Sequence, residues 1–368
     1  MHIVATGLLA TSAALGAALV ASTWFMRNSR SPKPITVTGA GKANSEAAAG
    51  ASHGGAAEHP ELNGAAAATD GGPETQEAQD LAALYRRMAE EFAASDLNAK
   101  AIDPLKSWFH GLEDDHATPW PRKYPELEPP LQAGGGMGSY GAVRLLVVPL
   151  EESPVVLRIA AAVTADVMRL LPGGAKVFAN ARGNYHCTVF HTSQPSDPRP
   201  NPMRSDGGLD EPAQPPHLRR LPTAAESARE LQLVKDLVAD TPVPTLRLER
   251  VVQASTGVLL LTWTEVGSGA VISGLRHRLR DAFPGASTKQ ATIIHSSLLR
   301  IVSSTPLGKE AVAAISESCK NWTARLRGTR YSPRHLWFIR EHEFSTISGE
   351  REVLALGDPQ HKEKVVHY

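Results

Sequence analysis

The positions of apolar and polar residues divide the chain into short β-rich runs and segments with helical spacing. Between 76 and 112, Leu81, Leu84, Met88, Phe92 and Leu97 recur at roughly helical spacing, which predicts one or two amphipathic helices broken near Pro104. Further along the chain, the pattern predicts strands at 142–150, 185–192, 246–255, 257–266, 291–304, 335–344 and 351–356, and helices at 155–171, 223–238, 270–283 and 307–326. Some of these strands are neighbours in the chain and others are separated by helices. That order predicts an α+β fold with mostly antiparallel sheets.

The N-terminus has a different pattern. The segment from Ile3 to Met26 carries no formal charge and is long enough for the ~20 residues of a membrane-spanning helix. Arg27, Arg30 and Lys33 follow it, whereas a secretory signal peptide has its positive charges before the apolar run. We therefore predict an N-terminal transmembrane helix that acts as an uncleaved, single-pass anchor, with a cleaved signal as the alternative. The positive flank predicts that the rest of the chain faces the cytosol.

The composition of the chain predicts the boundaries between its domains and linkers. Residues 1–30 form the predicted anchor, and 31–75 form a linker rich in Ala, Gly and Ser that is expected to be disordered. Residues 76–135 are read as a helical extension with a proline-rich connector, 136–358 as the folded domain and 359–368 as a tail.

Charge and cysteine content exclude some classes of protein. The formal net charge of the chain is zero, so the chain as a whole offers no electrostatic attraction for nucleic acid. Two cysteines, Cys187 and Cys319, do not resemble the disulfide framework of a small secreted domain. Reduced thiols are the simpler interpretation, and Cys187 is expected to be a small core residue.

Two short motifs are the strongest chemical signal. His-x-Ser/Thr occurs four times, but only at His186 and His295 does the pattern begin inside an apolar, β-rich run. In a regular strand His186 and Thr188 point to one side, and so do His295 and Ser297. Each strand therefore presents an imidazole beside a hydroxyl. The same alternation predicts that His191 lies on the face opposite His186.

Other charged residues are weaker candidates for binding phosphate or a metal ion. In a regular strand Arg300 would lie on the face opposite His295, which argues against a role in binding phosphate. The cluster Glu341-His342-Glu343 lacks a complementary group of ligands, so a solvated or edge-strand run of charges is expected there. The sequence thus predicts no metal site.

Two imidazoles and two hydroxyls brought together would suit a phosphodiester. One neutral histidine can take a proton from water, and the other, when protonated, can give one to the leaving oxygen. The hydroxyls of Thr188 and Ser297 would hold the non-bridging phosphate oxygens and stabilise the charge that builds up on them. This chemistry requires neither a metal ion nor another cofactor. Which histidine is the base stays open.

The motifs HCTV at 186–189 and HSSL at 295–298 lie 109 residues apart. In this the chain resembles the two-histidine (2H) phosphoesterase superfamily, and within it the plant-type RNA ligase/cyclic nucleotide phosphodiesterase family. The resemblance covers roughly 142–356. It implies a bilobal, pseudo-twofold fold with a cleft between the lobes, His186 and His295 as the catalytic pair, and Thr188 and Ser297 as phosphate-binding residues. Two departures are a proline-rich insertion at 194–222 and serine in the second motif.

The resemblance implies a metal-independent hydrolase that acts on a cyclic phosphodiester, such as the 2′,3′-cyclic phosphate of a nucleotide or an RNA end. The expected partners are that substrate and the membrane, and the expected oligomeric state is a monomer. Two alternatives use the same residues: a non-catalytic, membrane-tethered module that binds RNA or phosphate, and an RNA ligase-like activity.

Overall fold

The computed structural model describes residues 75–114, 118–124, 143–194, 202–203, 222–267, 270–287 and 290–357. The predicted anchor and tail, nearly all of the predicted linker and most of the proline-rich insertion lie outside these residues. Within the described ranges, no helix has both the length and the apolar character needed to cross a membrane.

The secondary structure follows the predicted order. The helices are α1 (Gln76–Ser95), α2 (Ala99–Ile102), α3 (Pro154–Leu170), α4 (Ala224–Ala239), α5 (Val271–Ala282) and α6 (Lys309–Leu326), and a 3-10 helix spans Asp103–Trp108. The strands are β1 (Phe109–His110), β2 (Trp120–Pro121), β3 (Val143–Pro149), β4 (Val177–Ala179), β5 (His186–Ser193), β6 (Leu246–Gln253), β7 (Val258–Glu265), β8 (Ile294–Ile301), β9 (Arg330–Tyr331), β10 (His335–Glu341) and β11 (Gly349–Ala355). Every strand and helix predicted between 142 and 356 is present within a few residues. The short strands β1, β2, β4 and β9 were not predicted, because two or three residues carry no readable period.

One large sheet forms the centre of the structure. Its order is β11-β10-β3-β5-β8-β7-β6-β9, and β4 also pairs with β8. All the strand pairs described are antiparallel, which confirms the α+β class with mostly antiparallel sheets. The two motif strands, β5 and β8, are neighbours at the middle of this order. They share a single residue pair, Cys187 with Ser296.

Helices cover one face of the sheet, which we call the helix face. Leu146, Val148 and Leu298 from the strands pack there with Val163 of α3 and Ile315 of α6, all fully buried. Helix α3 begins where its sequence directs, because the Ser153 hydroxyl accepts a hydrogen bond from the Val156 N–H and Pro154 occupies the first turn. The apolar residues that alternate with these along the strands, such as Leu145 and Val147 of β3 and Leu260 of β7, point to the opposite side of the sheet. We call that side the open face.

The segments 75–114 and 118–124 pack on the open face in two places. At the first, Leu81 and Tyr85 of α1 contact Val252 and Leu260 on β6 and β7. The Tyr85 hydroxyl donates to the Trp263 carbonyl at 2.9 Å, which fixes α1 against β7. We call this contact the α1 flank.

The second contact lies toward the other end of the sheet. Trp108 and Phe109 pack there with Leu145 and Val147 of β3 and Ile339 of β10. We call this contact the aromatic flank. The domain boundaries drawn from the sequence stay predictions, but the extension supplies both flanks of the open face and leaves the strip along β5 and β8 between them.

Candidate functional site

The four predicted site residues lie on the open face, on neighbouring strands. Cys187 pairs with Ser296, and their side chains meet on the helix face with Sγ and Oγ 3.0 Å apart. The residues on either side of this pair therefore turn to the open face. The antiparallel register sets His186 across from Ser297, and Thr188 across from His295. All four are partly exposed, whereas Cys187 and Ser296 are buried.

The prediction for His191 was wrong. On β3, Leu145 pairs with His191 and Val147 with Thr188, with a register shift that leaves Val189 as an extra residue in β5. Residues paired across an antiparallel ladder share a face, and Leu145 and Val147 are two apart on a regular strand. The bulge therefore brings His191 to the open face, beside Thr188 and His186.

The prediction for Arg300 was wrong for the same physical reason. Leu260 pairs with Ser297 and Val258 with Arg300, so β8 contains a bulge at Leu298. Because Val258 and Leu260 are two apart on β7, Arg300 shares the open face with Ser297. The sequence did contain a signal for both residues, since each motif has a basic side chain five positions after its histidine.

These positions form a line along the two strands. Arg300 lies at one end, the rows His186/Ser297 and Thr188/His295 lie in the middle, and His191 lies at the other end. The α1 flank and the aromatic flank stand on either side. The result is a strip of three imidazoles, two hydroxyls and one guanidinium between two apolar flanks.

His186 is held in one tautomer. Its Nδ1 lies 2.8 Å from the Asn184 carbonyl oxygen, and because a carbonyl only accepts, Nδ1 carries the proton. When the ring is neutral, Nε2 is left with a lone pair. Burial lowers the pKa of His186, and the hydrogen bond to Asn184 opposes that shift. His186 is thus suited to accept a proton at Nε2.

His295 and His191 each have a buried Nδ1 that finds no hydrogen-bond partner in the described part of the chain. Burial is the main cause that lowers the pKa of His295 to about 4, with smaller effects from His186, Arg276 and Arg300. Burial and His186 lower the pKa of His191 to about 4. In the free protein these rings are neutral at pH 7, and an anion bound beside them would favour their protonated forms.

Arg300 is a cation without a matching carboxylate in the described ranges. Its guanidinium lies 3.4 Å from the Ser345 hydroxyl and 5.9 Å from the centre of the Phe344 ring. Burial lowers the pKa of Arg300 to about 10, which still leaves it charged at pH 7. A desolvated positive charge of this kind is stabilised by an anion, and Arg300 lies on the same face as the Ser297 hydroxyl.

Two other predictions can be compared with the structure. Cys187 is buried in the core as expected, and burial raises the pKa of its thiol to about 12, so it is a poor nucleophile at pH 7.

The prediction that Glu341 belongs to a solvated or edge-strand run of charges was wrong, because β10 lies inside the sheet and the Glu341 side chain is buried. Its carboxyl accepts from the Tyr124 hydroxyl at 2.6 Å and from the Ile347 N–H at 2.8 Å, and burial raises its pKa to about 7.

The low pKa of His295 predicts how stability depends on pH. The unfolded chain titrates near 6.5 and the folded ring near 4, so the unfolded state binds more protons between these values. We expect His295→Asn to become more stable relative to wild type as the pH falls from 6.5 to 4, since the variant lacks this titration. Urea unfolding across that range measures the difference. His277→Asn is the matched control, because His277 is an exposed residue of α5. An equal pH response in both variants would contradict the prediction.

No group of three or more His, Cys, Asp or Glu side chains placed to hold a metal ion occurs in the described residues. Comparison of the sequence with protein-family models and with curated proteins finds no match. The resemblance to the 2H superfamily therefore rests on the two sequence motifs.

Proposed function

We propose that this protein hydrolyses a cyclic phosphodiester, the 2′,3′-cyclic phosphate of a nucleotide or an RNA end, by a two-histidine acid–base mechanism that uses no metal ion. The observation that carries the proposal is the juxtaposition of His186, Thr188, His295 and Ser297 on the open face of β5 and β8. Two motifs 109 residues apart in the sequence come together as neighbours in the sheet.

The geometry supports a division of roles. His186, with its proton on Nδ1, takes a proton from water at Nε2 as the water oxygen forms a bond to phosphorus. The bond from phosphorus to one ribose oxygen breaks, and His295 gives that oxygen a proton. The product is a phosphate monoester, and the two histidines then return to their starting states by exchanging protons with solvent.

The other side chains would stabilise the phosphate. The hydroxyls of Thr188 and Ser297 donate to the non-bridging oxygens, and the Arg300 guanidinium adds positive charge at the same end as Ser297. The bound anion also raises the pKa of His295 above its value in the free protein, so that substrate binding prepares the general acid. Proton uptake on binding follows from this arrangement.

The proposal extends to architecture and location. Along the main strand order, four strands lie on each side of the junction between β5 and β8, β11-β10-β3-β5 and β8-β7-β6-β9, with β4 paired to β8 in addition. This order supports a bilobal, pseudo-twofold 2H arrangement. The proposed state is a monomer, and the uncharged segment from Ile3 to Met26, followed by Arg27 and Arg30, supports an anchor in a membrane with the site on the cytosolic side.

Turnover by the full chain tests the proposal. We expect the purified protein to convert a short RNA that ends in a 2′,3′-cyclic phosphate to a phosphate monoester, with a bell-shaped pH–rate profile and no loss of rate in EDTA. Chromatography of the products measures the reaction and identifies which oxygen leaves.

The same assay separates the alternatives. Tight binding of the RNA without any product would favour a non-catalytic module. Joining of the cyclic phosphate to a second RNA with a 5′-hydroxyl end would favour a ligase-like activity.

A further inference from the structure

The middle of the sheet has a gap in its hydrogen bonding. Neighbouring antiparallel strands normally share a continuous ladder, but β5 and β8 pair only at Cys187 and Ser296. Buried backbone carbonyls need donors, so those beyond this pair must find them elsewhere. The carbonyls concerned belong to Thr188 and Ser297, to the bulge residues Val189 and Leu298, and to Ile293 shortly before the second motif.

Arg276 of α5 supplies the donors on one side of the gap. Its Nη2 donates to the carbonyls of Thr188 at 3.0 Å and Ile293 at 2.9 Å, and its Nε donates to the carbonyl of Val189 at 3.0 Å. One guanidinium thus joins the hydroxyl-bearing residue of the first motif, its bulge, and the backbone two residues before His295. It acts as a substitute for the missing ladder between the strands.

Asn180 supplies the donors on the other side. Its Nδ2 donates to the Ser297 carbonyl at 2.9 Å, and its own N–H donates to the Leu298 carbonyl at 2.9 Å. These acceptors are the hydroxyl-bearing residue and the bulge of the second motif. The two motifs are therefore held at equivalent positions in different ways, by the Arg276 side chain in one case and by one side-chain and one backbone bond of Asn180, the residue that directly follows β4, in the other.

The charge of Arg276 also reaches the site. Its positive charge opposes protonation of His295, together with those of His186 and Arg300. Around Arg276 itself, burial lowers its pKa, whereas Tyr85 and Glu77 of α1, Glu265 of β7 and Cys187 of β5 oppose that shift. Arg276 lies among these groups, and its Nη2 is 2.9 Å from the carbonyl oxygen of Ile293, two residues before His295.

We propose that Arg276 is a positioning residue for the reaction, which sets the spacing between the two motif strands through three carbonyls, and that Asn180 is its counterpart for the second motif. The charge of Arg276, which opposes protonation of His295, is the second part of its role. The proposal rests on the proposed function for its catalytic consequence. Its effect on the protonation of His295 can be measured without any turnover.

The decisive variants separate charge from hydrogen bonding. Arg276→Met removes both the charge and the hydrogen bonds. We expect kcat to fall by about 100-fold with little change in KM, since small displacements of reacting groups cost that much. We also expect the pKa of His295 to rise, because a nearby positive charge is lost. Arg276→Lys keeps the charge but cannot reach all three carbonyls. We expect it to lower kcat while the pKa of His295 stays near its wild-type value. Asn180→Ala should lower kcat with no rise in that pKa.

Steady-state kinetics of the full chain on the cyclic-phosphate RNA and NMR titration of the His295 ring give the two measurements. Arg278→Met is the matched control, because Arg278 lies on the same helix and donates to the Thr241 hydroxyl, which belongs to neither motif. We expect it to leave kcat and the His295 pKa unchanged. Melting curves identify any variant that fails to fold, in which case Arg276→Lys and Asn180→Ala decide the question.

The outcomes distinguish this inference from the proposed function. If wild type has no turnover, the proposed function fails, while the titration still tests the influence of Arg276 on His295. An unchanged His295 pKa in Arg276→Met overturns the inference whether or not the protein is an enzyme. An equal loss of kcat in Arg276→Met and Arg278→Met would also overturn it, since the effect would then be general to helix α5.

Discussion

Replacing His186 or His295 by alanine is expected to lower kcat by about 10²–10⁴-fold, the range that general acid–base catalysis supplies. Each substitution removes one of the two groups that move a proton, so the double variant should be little worse than either single one. Both rings are partly exposed on the open face, and their removal leaves the helix-face core intact. Rates on a cyclic-phosphate RNA, with melting temperatures measured alongside, check the prediction.

His277→Ala provides the matched control, because His277 is an exposed histidine on α5 that contributes nothing to the open face. We expect it to retain the wild-type rate. Full activity in either His186→Ala or His295→Ala would remove the basis of the mechanism. The loss of one limb of the pH–rate profile in each variant would show which histidine is the base.

Removing the two hydroxyls together, in Thr188→Val with Ser297→Ala, is expected to lower kcat by about 10²–10³-fold, as the loss of one donor to a developing oxyanion does. The hydroxyls lie across from His295 and His186 in neighbouring rows, where the two non-bridging oxygens of the phosphate would sit. Because their contribution is greatest in the transition state, kcat should fall more than KM rises. Steady-state kinetics separates the two parameters.

The conservative pair Thr188→Ser and Ser297→Thr is the control, since it exchanges the side chains but keeps both donors. We expect these variants to retain most of the wild-type rate. A loss as large in the conservative pair as in the hydroxyl-free pair would point to packing at the open face as the cause instead of hydrogen bonding to phosphate.

Most of the regular structure could be predicted because each long element carries its own period. The run from 142 to 150 became β3 and the helical spacing at 223–238 became α4, each within a residue or two. Local pattern also identified both histidine motifs, since a strand turns alternate residues to the same side. The α+β class followed from the order of these elements along the chain.

Strict alternation failed at two points in the site. It set His191 and Arg300 on the wrong face, because one extra residue, Val189 in β5 and Leu298 in β8, shifts the alternation between each motif histidine and the basic residue that follows it. A bulge depends on the partner strand, which the local sequence does not specify. Glu341 was misjudged for a related reason, since its burial depends on β11 and Tyr124 on either side of it.

The sequence by itself determined the four residues that meet on the open face, because the period of a strand is local and both motifs lie inside strands. Only the tertiary structure decided that β5 and β8 are neighbours, that bulges bring His191 and Arg300 to the same side, and that Arg276 and Asn180 hold the strands where the ladder stops. These features arise from contacts between residues far apart in the chain. Their hydrogen bonds leave no periodic trace in the sequence that encodes them.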